Sequence, residues 1–245
     1  MDYYDYHSRA YFDATAGIDP APFLEPFARH LSPDDRVLDV GCGSGRDLLW
    51  LRRKGMQVTG FERSAGLARL ARHYAGCDII AGDFTTYNFS TLSVDAVLLC
   101  GALVHVPHYR LAAVLENILR ALDPDSRRRI IYLSLKEGHG KGADASGRMF
   151  FFWQDDALRT LFSTGQMHIL DFQRRISADG RGNVWLGYVL HHRPSHKAKG
   201  RRNLSDTFSR TDDKGHDSLL KNQPPILPVA DNPLEDRRNA RGDRR

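Results

Sequence analysis

The sequence predicts an α/β protein: a seven-stranded, mostly parallel sheet with helices on both faces and a terminal antiparallel hairpin. Three observations predict it. Short apolar runs alternate with amphipathic helical patterns at the spacing of βαβ units. Three glycines stand within five residues directly behind the first apolar run, in VLDVGCGSGRDLLWL. The last two apolar runs follow one another with no helix between them.

The elements fall in order along the chain. Residues 36–40 form a short apolar run between Pro33-Asp34-Asp35 and the glycines, and read as a buried strand. A helix follows over 45–54, with Leu48, Leu49 and Leu51 on it and Gly55 stopping it. The second strand spans 57–61 and the second helix 64–73, for which Ser64 is a suitable N-cap. Strands follow over 78–81 and 96–100. A helix over 109–122 carries Leu111, Val114, Leu115, Ile118 and Leu119 as one stripe, ended by Asp123-Pro124. The fifth strand covers 129–135, a helix 154–162, and the closing hairpin 168–175 and 184–191 around a turn at 177–182. In a sheet of this kind a ligand binds beyond the carboxyl ends of the strands, where the strand order reverses, and the glycine turn stands at such an end.

Three ligands compete for a glycine turn in that position. A phosphate-binding P-loop needs G-x-x-x-x-G-K-[ST], and GCGSGRDLL has neither the spacing nor the lysine. A dinucleotide turn reads G-x-G-x-x-G/A, whereas here the third glycine comes one residue early. Asp39, two residues before the first glycine, suits an ammonium group better than a pyrophosphate. These residues favour a ligand with an amino-acid end, with a nicotinamide cofactor as the weaker alternative.

VLDVGCGSG resembles the first motif of class I S-adenosylmethionine-dependent methyltransferases, and further landmarks of that family follow in order. VTGFERS resembles the second-strand motif, whose terminal acid, here Glu62 with Arg63 after it, grips the ribose hydroxyls. AGDFTTYNF resembles the third motif, implying that Asp83 accepts from the adenine amino group with Phe84 beside the ring. VDAVLLCGALVHVP resembles the fourth-strand motif, implying backbone contacts from Cys100 and Gly101 to the methionine ammonium. The stretch LRALDPDSRRRIIYLSL is similar to the family's helix-turn-strand, with Asp-Pro-Asp-Ser in place of the usual L-K-P-G-G. The likeness covers about residues 1–192 and implies a Rossmann-like class I methyltransferase fold. It also implies S-adenosyl-L-methionine as cofactor, S-adenosyl-L-homocysteine as product, and Asp39, Gly41, Cys42, Gly43 and Gly45 around the methionine end. A nicotinamide fold has no counterpart to the glycine-aspartate-phenylalanine at 82–84.

The acceptor side is less legible. The segment YDYHSRAYFDATAG, in residues 1–30, is either a lid over the cofactor or an amphipathic helix packed on the domain; Tyr11 and Arg9 are its candidate ligand contacts, Arg9 for a carboxylate. His105 and His108, in the loop after the fourth strand, are candidates for a base or a substrate contact, and His108 equally for a helix cap. No third metal ligand accompanies them, so no metal is expected. The glycine-rich stretch after the fifth strand turns abruptly aromatic, which suits a flap with Lys136, Glu137, Arg148 and Trp153 as substrate candidates; two of the four aromatics at 150–153 are expected to pack in the core. There is no N-P-P-Y or D-P-P-Y at the fourth motif, which argues against adenine or glutamine amide acceptors.

Charge separates the tail from the rest. The net charge is +5, and residues 194–245 hold 12 Lys and Arg against 8 Asp and Glu, leaving 23 against 22 over residues 1–193. Nucleic acid is therefore a partner only through a basic tail, which is expected to be largely disordered, and a small-molecule acceptor is favoured for the domain over 31–193. A protein or RNA acceptor tethered by that tail, or a non-catalytic cofactor-binding module, remain the alternatives. Cys42, Cys77 and Cys100 have neither disulfide nor metal spacing, and no run is long enough for a membrane span, so a reduced, cytoplasmic protein is expected. The sequence leaves the oligomeric state open.

Overall fold

The computed structural model describes residues 3–177 and 182–193. The tail over 194–245 and most of the hairpin turn lie outside the described residues. The elements run in the order α1 (Tyr3–Tyr6), α2 (Ser8–Thr15), α3 (Ala21–Ala28), β1 (Arg36–Val40), α4 (Arg46–Arg53), β2 (Gln57–Glu62), α5 (Ala65–Ala75), β3 (Ile79–Ala81) and β4 (Ala96–Cys100). They continue with α6 (His108–Leu119), β5 (Ile130–Lys136), β6 (Lys141–Ala143), β7 (Met149–Phe151), α7 (Asp155–Thr164), β8 (Met167–Ile176) and β9 (Val184–His192).

The sheet order is β3-β2-β1-β4-β5-β9-β8, parallel throughout except for β9, which runs antiparallel to both β5 and β8. The seven-stranded, mostly parallel sheet with its closing hairpin is thus as the sequence predicts. β1 lies between β2 and β4, so the chain leaves β1 towards one edge and returns towards the other. That reversal opens a crevice at the carboxyl ends of the strands.

Alternation along the strands builds a core on each face. Leu38, Val40, Val97 and Leu99 face α6 and α7, among Leu111, Leu115, Leu158 and Phe162. Val37, Ala96, Leu98 and Tyr132 face the other way, towards Leu24 and Phe27 of α3 and Leu51 of α4. Each fully buried Leu or Phe contributes about 1.5–3 kcal/mol, so the sheet's two faces dominate stability. α5 is defined at both ends: the Ser64 hydroxyl accepts from the Leu67 amide at 3.3 Å, and Gly76 closes it in the left-handed region at φ 62°.

Two features are finer than the sequence reading. The first thirty residues contain three helices, and the third is core: Leu24 and Phe27 are fully buried and α3 lends nothing to the crevice. The glycine-rich stretch after β5 folds as a small antiparallel hairpin of β6 and β7.

Candidate active site

The carboxyl ends of β3, β2, β1 and β4 surround a cleft of about 210 Å³. Its floor is the turn after β1. The amides of Gly41 and Cys42 both donate to the Phe61 carbonyl, at 2.7 and 3.2 Å, tying the turn to β2. Gly41 has φ 74°, and a Cβ there would stand 2.8 Å from the Cβ of Ala102. A side chain is excluded, and bare backbone faces the cleft. Gly45, at φ 77°, is required for a different reason. A Cβ there would come within 3.0–3.2 Å of Ala71, so this glycine lets α4 and α5 pack closely and does not line the cleft. Cys42 likewise turns its side chain into the core with Leu48 and Ala71.

Glu62 ends β2 and lines the cleft. Its Oε2 accepts from the Gly43 amide at 3.0 Å and its Oε1 from the Ser64 amide at 2.8 Å. Burial raises its pKa, against the opposing pull of these backbone donors. Asp39 is 2% exposed, and its Oδ2 has no hydrogen-bond partner among the described residues. Burial, with the negative charge of Asp47 next, pushes its pKa well up against the lowering effect of Arg46. An unpartnered carboxylate oxygen so deep in a fold is costly unless something satisfies it.

Asp83 and Phe84 line the cleft beyond β3. The Oδ1 of Asp83 accepts from both the amide and the hydroxyl of Thr85, at 2.8 and 2.7 Å, and its Oδ2 lies 3.7 Å from Arg63. Burial pulls its pKa upward, yet the Thr85 donors and the charges of Arg63 and Arg110 leave it below the usual value. Cys100 and Gly101 complete this wall, with the Gly101 amide held on the Ser134 hydroxyl at 2.9 Å.

The opposite wall comes from distant parts of the chain. Tyr11 lies over the glycine turn, its ring 3.3 Å from where a Gly43 Cβ would stand, and Tyr4 packs edge-on against it at 5.2 Å. The Tyr4 carbonyl accepts from the Ser64 hydroxyl at 3.1 Å. The N-terminal tyrosines thus cover the cleft. Tyr4, Arg110 and Ala102 line it and were not singled out by the sequence; the lone signal for Tyr4 was its place in a tyrosine-rich segment. Arg9 does not line the cleft: its side chain is exposed and pairs with Asp13 at 2.9 Å.

His105 lines the cleft, whereas His108 does not. The Nδ1 of His105 lies 2.5 Å from the Met149 carbonyl, which can only accept, so Nδ1 carries the proton. Its Nε2 then accepts from the Tyr4 hydroxyl at 2.8 Å. Burial, with the positive charges of Arg148 and Lys136, lowers its pKa, although the Met149 carbonyl opposes them. His108 bonds the Phe152 carbonyl at 2.8 Å and packs against Trp153 at 4.6 Å, anchoring the segment after β7 to the start of α6. Arg148 pairs with Asp144 at 2.6 Å and lies 4.5 Å from the Tyr3 ring. Lys136 places its ammonium 3.8 Å from the Phe150 ring centre, and Glu137 accepts from Arg174 at 2.7 Å. Phe150 and Trp153 are the two buried aromatics of that run.

One pair behind the turn escaped the sequence reading. Arg46 and Asp47, at the start of α4, form a doubly bonded pair at 2.6 and 3.0 Å in the wall beneath Cys100, with Asp47 buried. An adjacent Arg-Asp directly behind the glycines is the signal that marks it.

Comparison with known proteins agrees with this architecture. Residues 37–125 match the family model of a methyltransferase domain. Protein-L-isoaspartate O-methyltransferase 2 of Rhodopseudomonas palustris is 30% identical over 118 residues, 46% of this chain and 49% of that protein. The 2-phytyl-1,4-naphtoquinone methyltransferase of Synechococcus elongatus is 37% identical over 110 residues, 40% of this chain and 46% of that protein. The chain spans between a quarter and a half of the length of the curated relatives it matches. Among solved structures, the Burkholderia thailandensis 1,6-didemethyltoxoflavin-N1-methyltransferase, with 1,6-didemethyltoxoflavin and S-adenosylhomocysteine bound, superposes with a TM-score of 0.61. It is 22% identical, over 78% of this chain and 84% of that one, which is a likeness of fold. Among the described residues no helix is long and apolar enough to cross a membrane.

Proposed function

We propose that the chain, whose residues 37–125 match the family model of a methyltransferase domain, is a class I S-adenosylmethionine-dependent methyltransferase that transfers a methyl group from S-adenosyl-L-methionine to a small-molecule acceptor. One observation carries the reading: a side-chain-free glycine turn, the two-oxygen face of Glu62, and Asp83 with Phe84 converge on a single cleft. The orphaned Oδ2 of Asp39 supports the reading, since it leaves a buried acceptor behind the turn for a donor such as the ligand's ammonium group.

When bound, the cofactor supplies a sulfonium-activated methyl group. The chain's own residues have to hold it, orient the acceptor and keep water out. Gly41 and Gly43 present backbone to the methionine end. Glu62 is directed at the ribose hydroxyls, and Asp83 and Phe84 at the adenine. Asp39 acts on the ammonium from below, directly or through the turn, while Tyr4 and Tyr11 cover the cleft. The names of relatives include a quinone acceptor, and also protein and 23S rRNA acceptors. The near-neutral charge of residues 1–193 supports a small acceptor here, with S-adenosyl-L-homocysteine as the other product. Three free cysteines fit a reducing, cytoplasmic setting.

Calorimetry with S-adenosylhomocysteine and with NAD tests the reading: the former binds and the latter does not, and the reverse result overturns it. Removing residues 194–245 distinguishes the acceptor classes. A small-molecule enzyme keeps its activity, whereas one that relies on the tail to tether RNA or protein loses it.

A further inference from the structure

The hydroxyl oxygen of Tyr4 occupies an unusual point for a side chain of an N-terminal helix. It belongs to a residue that lines the cleft and stands 2.8 Å from the Nε2 of His105, and the Arg148 guanidinium lies 5.8 Å from the centre of the Tyr4 ring. The Met149 carbonyl holds the proton on Nδ1, so Nε2 presents a lone pair at that point. An oxygen there meets a base directly and has a guanidinium in the neighbourhood of the same ring. Aromatic rings flank it: Tyr11 lies 5.2 Å from the Tyr4 ring and Phe150 lies 4.7 Å from His105.

We propose that Tyr4 is a placeholder for the methyl acceptor, that the acceptor is a phenol or enol on a planar ring, and that His105 is its general base. The inference rests on the methyltransferase reading and names the acceptor class for that same cleft. The acceptor displaces the Tyr4 ring and sets its own hydroxyl between His105 and Arg148. The hydroxyl proton passes to Nε2 of His105, and Arg148 stabilises the negative charge that grows on the oxygen. An oxygen lone pair forms the bond to the methyl carbon, and the electron pair of the carbon–sulfur bond goes to sulfur, turning the sulfonium into a neutral thioether. The products are a methyl ether, S-adenosylhomocysteine and a protonated His105, which returns its proton to water. Tyr4 itself touches no reacting bond; it keeps Nε2 capped and the pocket dry between turnovers.

The test uses the full chain saturated with S-adenosylhomocysteine, with 4-nitrophenol and catechol as probes. Tyr4→Phe, which deletes the displaced hydrogen bond, binds these phenols about fivefold tighter than wild type. His105→Gln binds them at least about tenfold more weakly, and with S-adenosylmethionine its rate of methyl ether formation falls by about 10²–10⁴. Retained S-adenosylhomocysteine binding shows that each variant is folded. Equal phenol affinity in wild type, Tyr4→Phe and His105→Gln overturns the proposal, as does the absence of phenol binding in all three. If the wild-type chain fails to bind S-adenosylhomocysteine, it is the underlying methyltransferase reading that falls.

Discussion

On one wall of the cleft the lining groups stand at the carboxyl ends of four adjacent parallel strands: Asp83 beyond β3, Glu62 on β2, Gly41 after β1 and Cys100 on β4. Each is placed by backbone that is hydrogen-bonded on both sides or held by a neighbouring amide. On the other wall, Tyr4 and His105 come from a four-residue helix and a short turn, backed by Arg148 of the two-stranded hairpin. They position one another through side chains, Tyr4 on His105, Arg148 on Asp144 and His105 on the Met149 carbonyl. The first wall is rigid because the sheet would have to break for it to move. The second is held by a few hydrogen bonds, each worth about 0.5–1.5 kcal/mol net. A wall that binds a common donor can be built into a sheet, whereas a wall that admits and releases an acceptor has to be detachable.

The sharpest way to break this contrast is Gly45→Val. The substitution sets a branched side chain at φ 77° against the backbone of Ala71, and it is expected to cost about 3–5 kcal/mol of stability in chemical denaturation. A smaller loss would mean that α4 and α5, which pack behind the glycine turn, part more readily than their close approach implies. Next, Glu62→Ala is expected to weaken S-adenosylhomocysteine binding by about 2–3 kcal/mol, and Asp83→Ala by about 1 kcal/mol. The order follows from burial: Glu62 is buried, while Asp83 is 37% exposed in its side chain. Calorimetry that reversed the order would contradict the placement of the two acids.

The smallest effects are those of pH. His105 has a lowered pKa, so its neutral form persists below the ordinary histidine value near 6.5. Methyl transfer that uses it as a base is expected to rise with pH through a midpoint below that value, and a midpoint above it would remove His105 from the role. His192, at the end of β9, has its pKa pulled down to about 4 by burial and by the charge of Arg129. The unfolded chain takes up this proton first, so stability is present above about pH 6.5 and declines as pH falls towards 4. Replacing His192 with Gln should flatten that slope in urea titrations.

The two walls were also unequally legible. Gly41, Glu62, Asp83 and Phe84 could be assigned because each answers a local demand, a left-handed turn or an acid at a strand end, written within a few residues of its strand. The partners of the other wall are separated by 101 positions between Tyr4 and His105 and by 44 between His105 and Met149. No local pattern encodes such a meeting. His105 was recognisable by residue type, but its companions were not, and Arg9 was preferred to Tyr4 because a charge looks more functional than one tyrosine among four. Within residues 1–30 the helix α3 was obscured by Pro20, Pro22 and Pro26, although Leu24 and Phe27 make it core. Gly45 was legible as a necessary glycine, but not that its neighbour would be a helix instead of a ligand.

The strand order has a consequence for how the molecule comes into being. β9, the last strand in chain order among the described residues, is an interior strand, hydrogen-bonded along both edges between β5 and β8. Until residue 192 has been synthesised, β5 exposes an unpaired edge and Tyr188, Leu186 and Leu190 are missing from the core beside α7. The nascent chain therefore cannot complete its domain stepwise from the N-terminus. The β1–β4 half can collapse early, but it must wait with an open seam for the final strand to be threaded home.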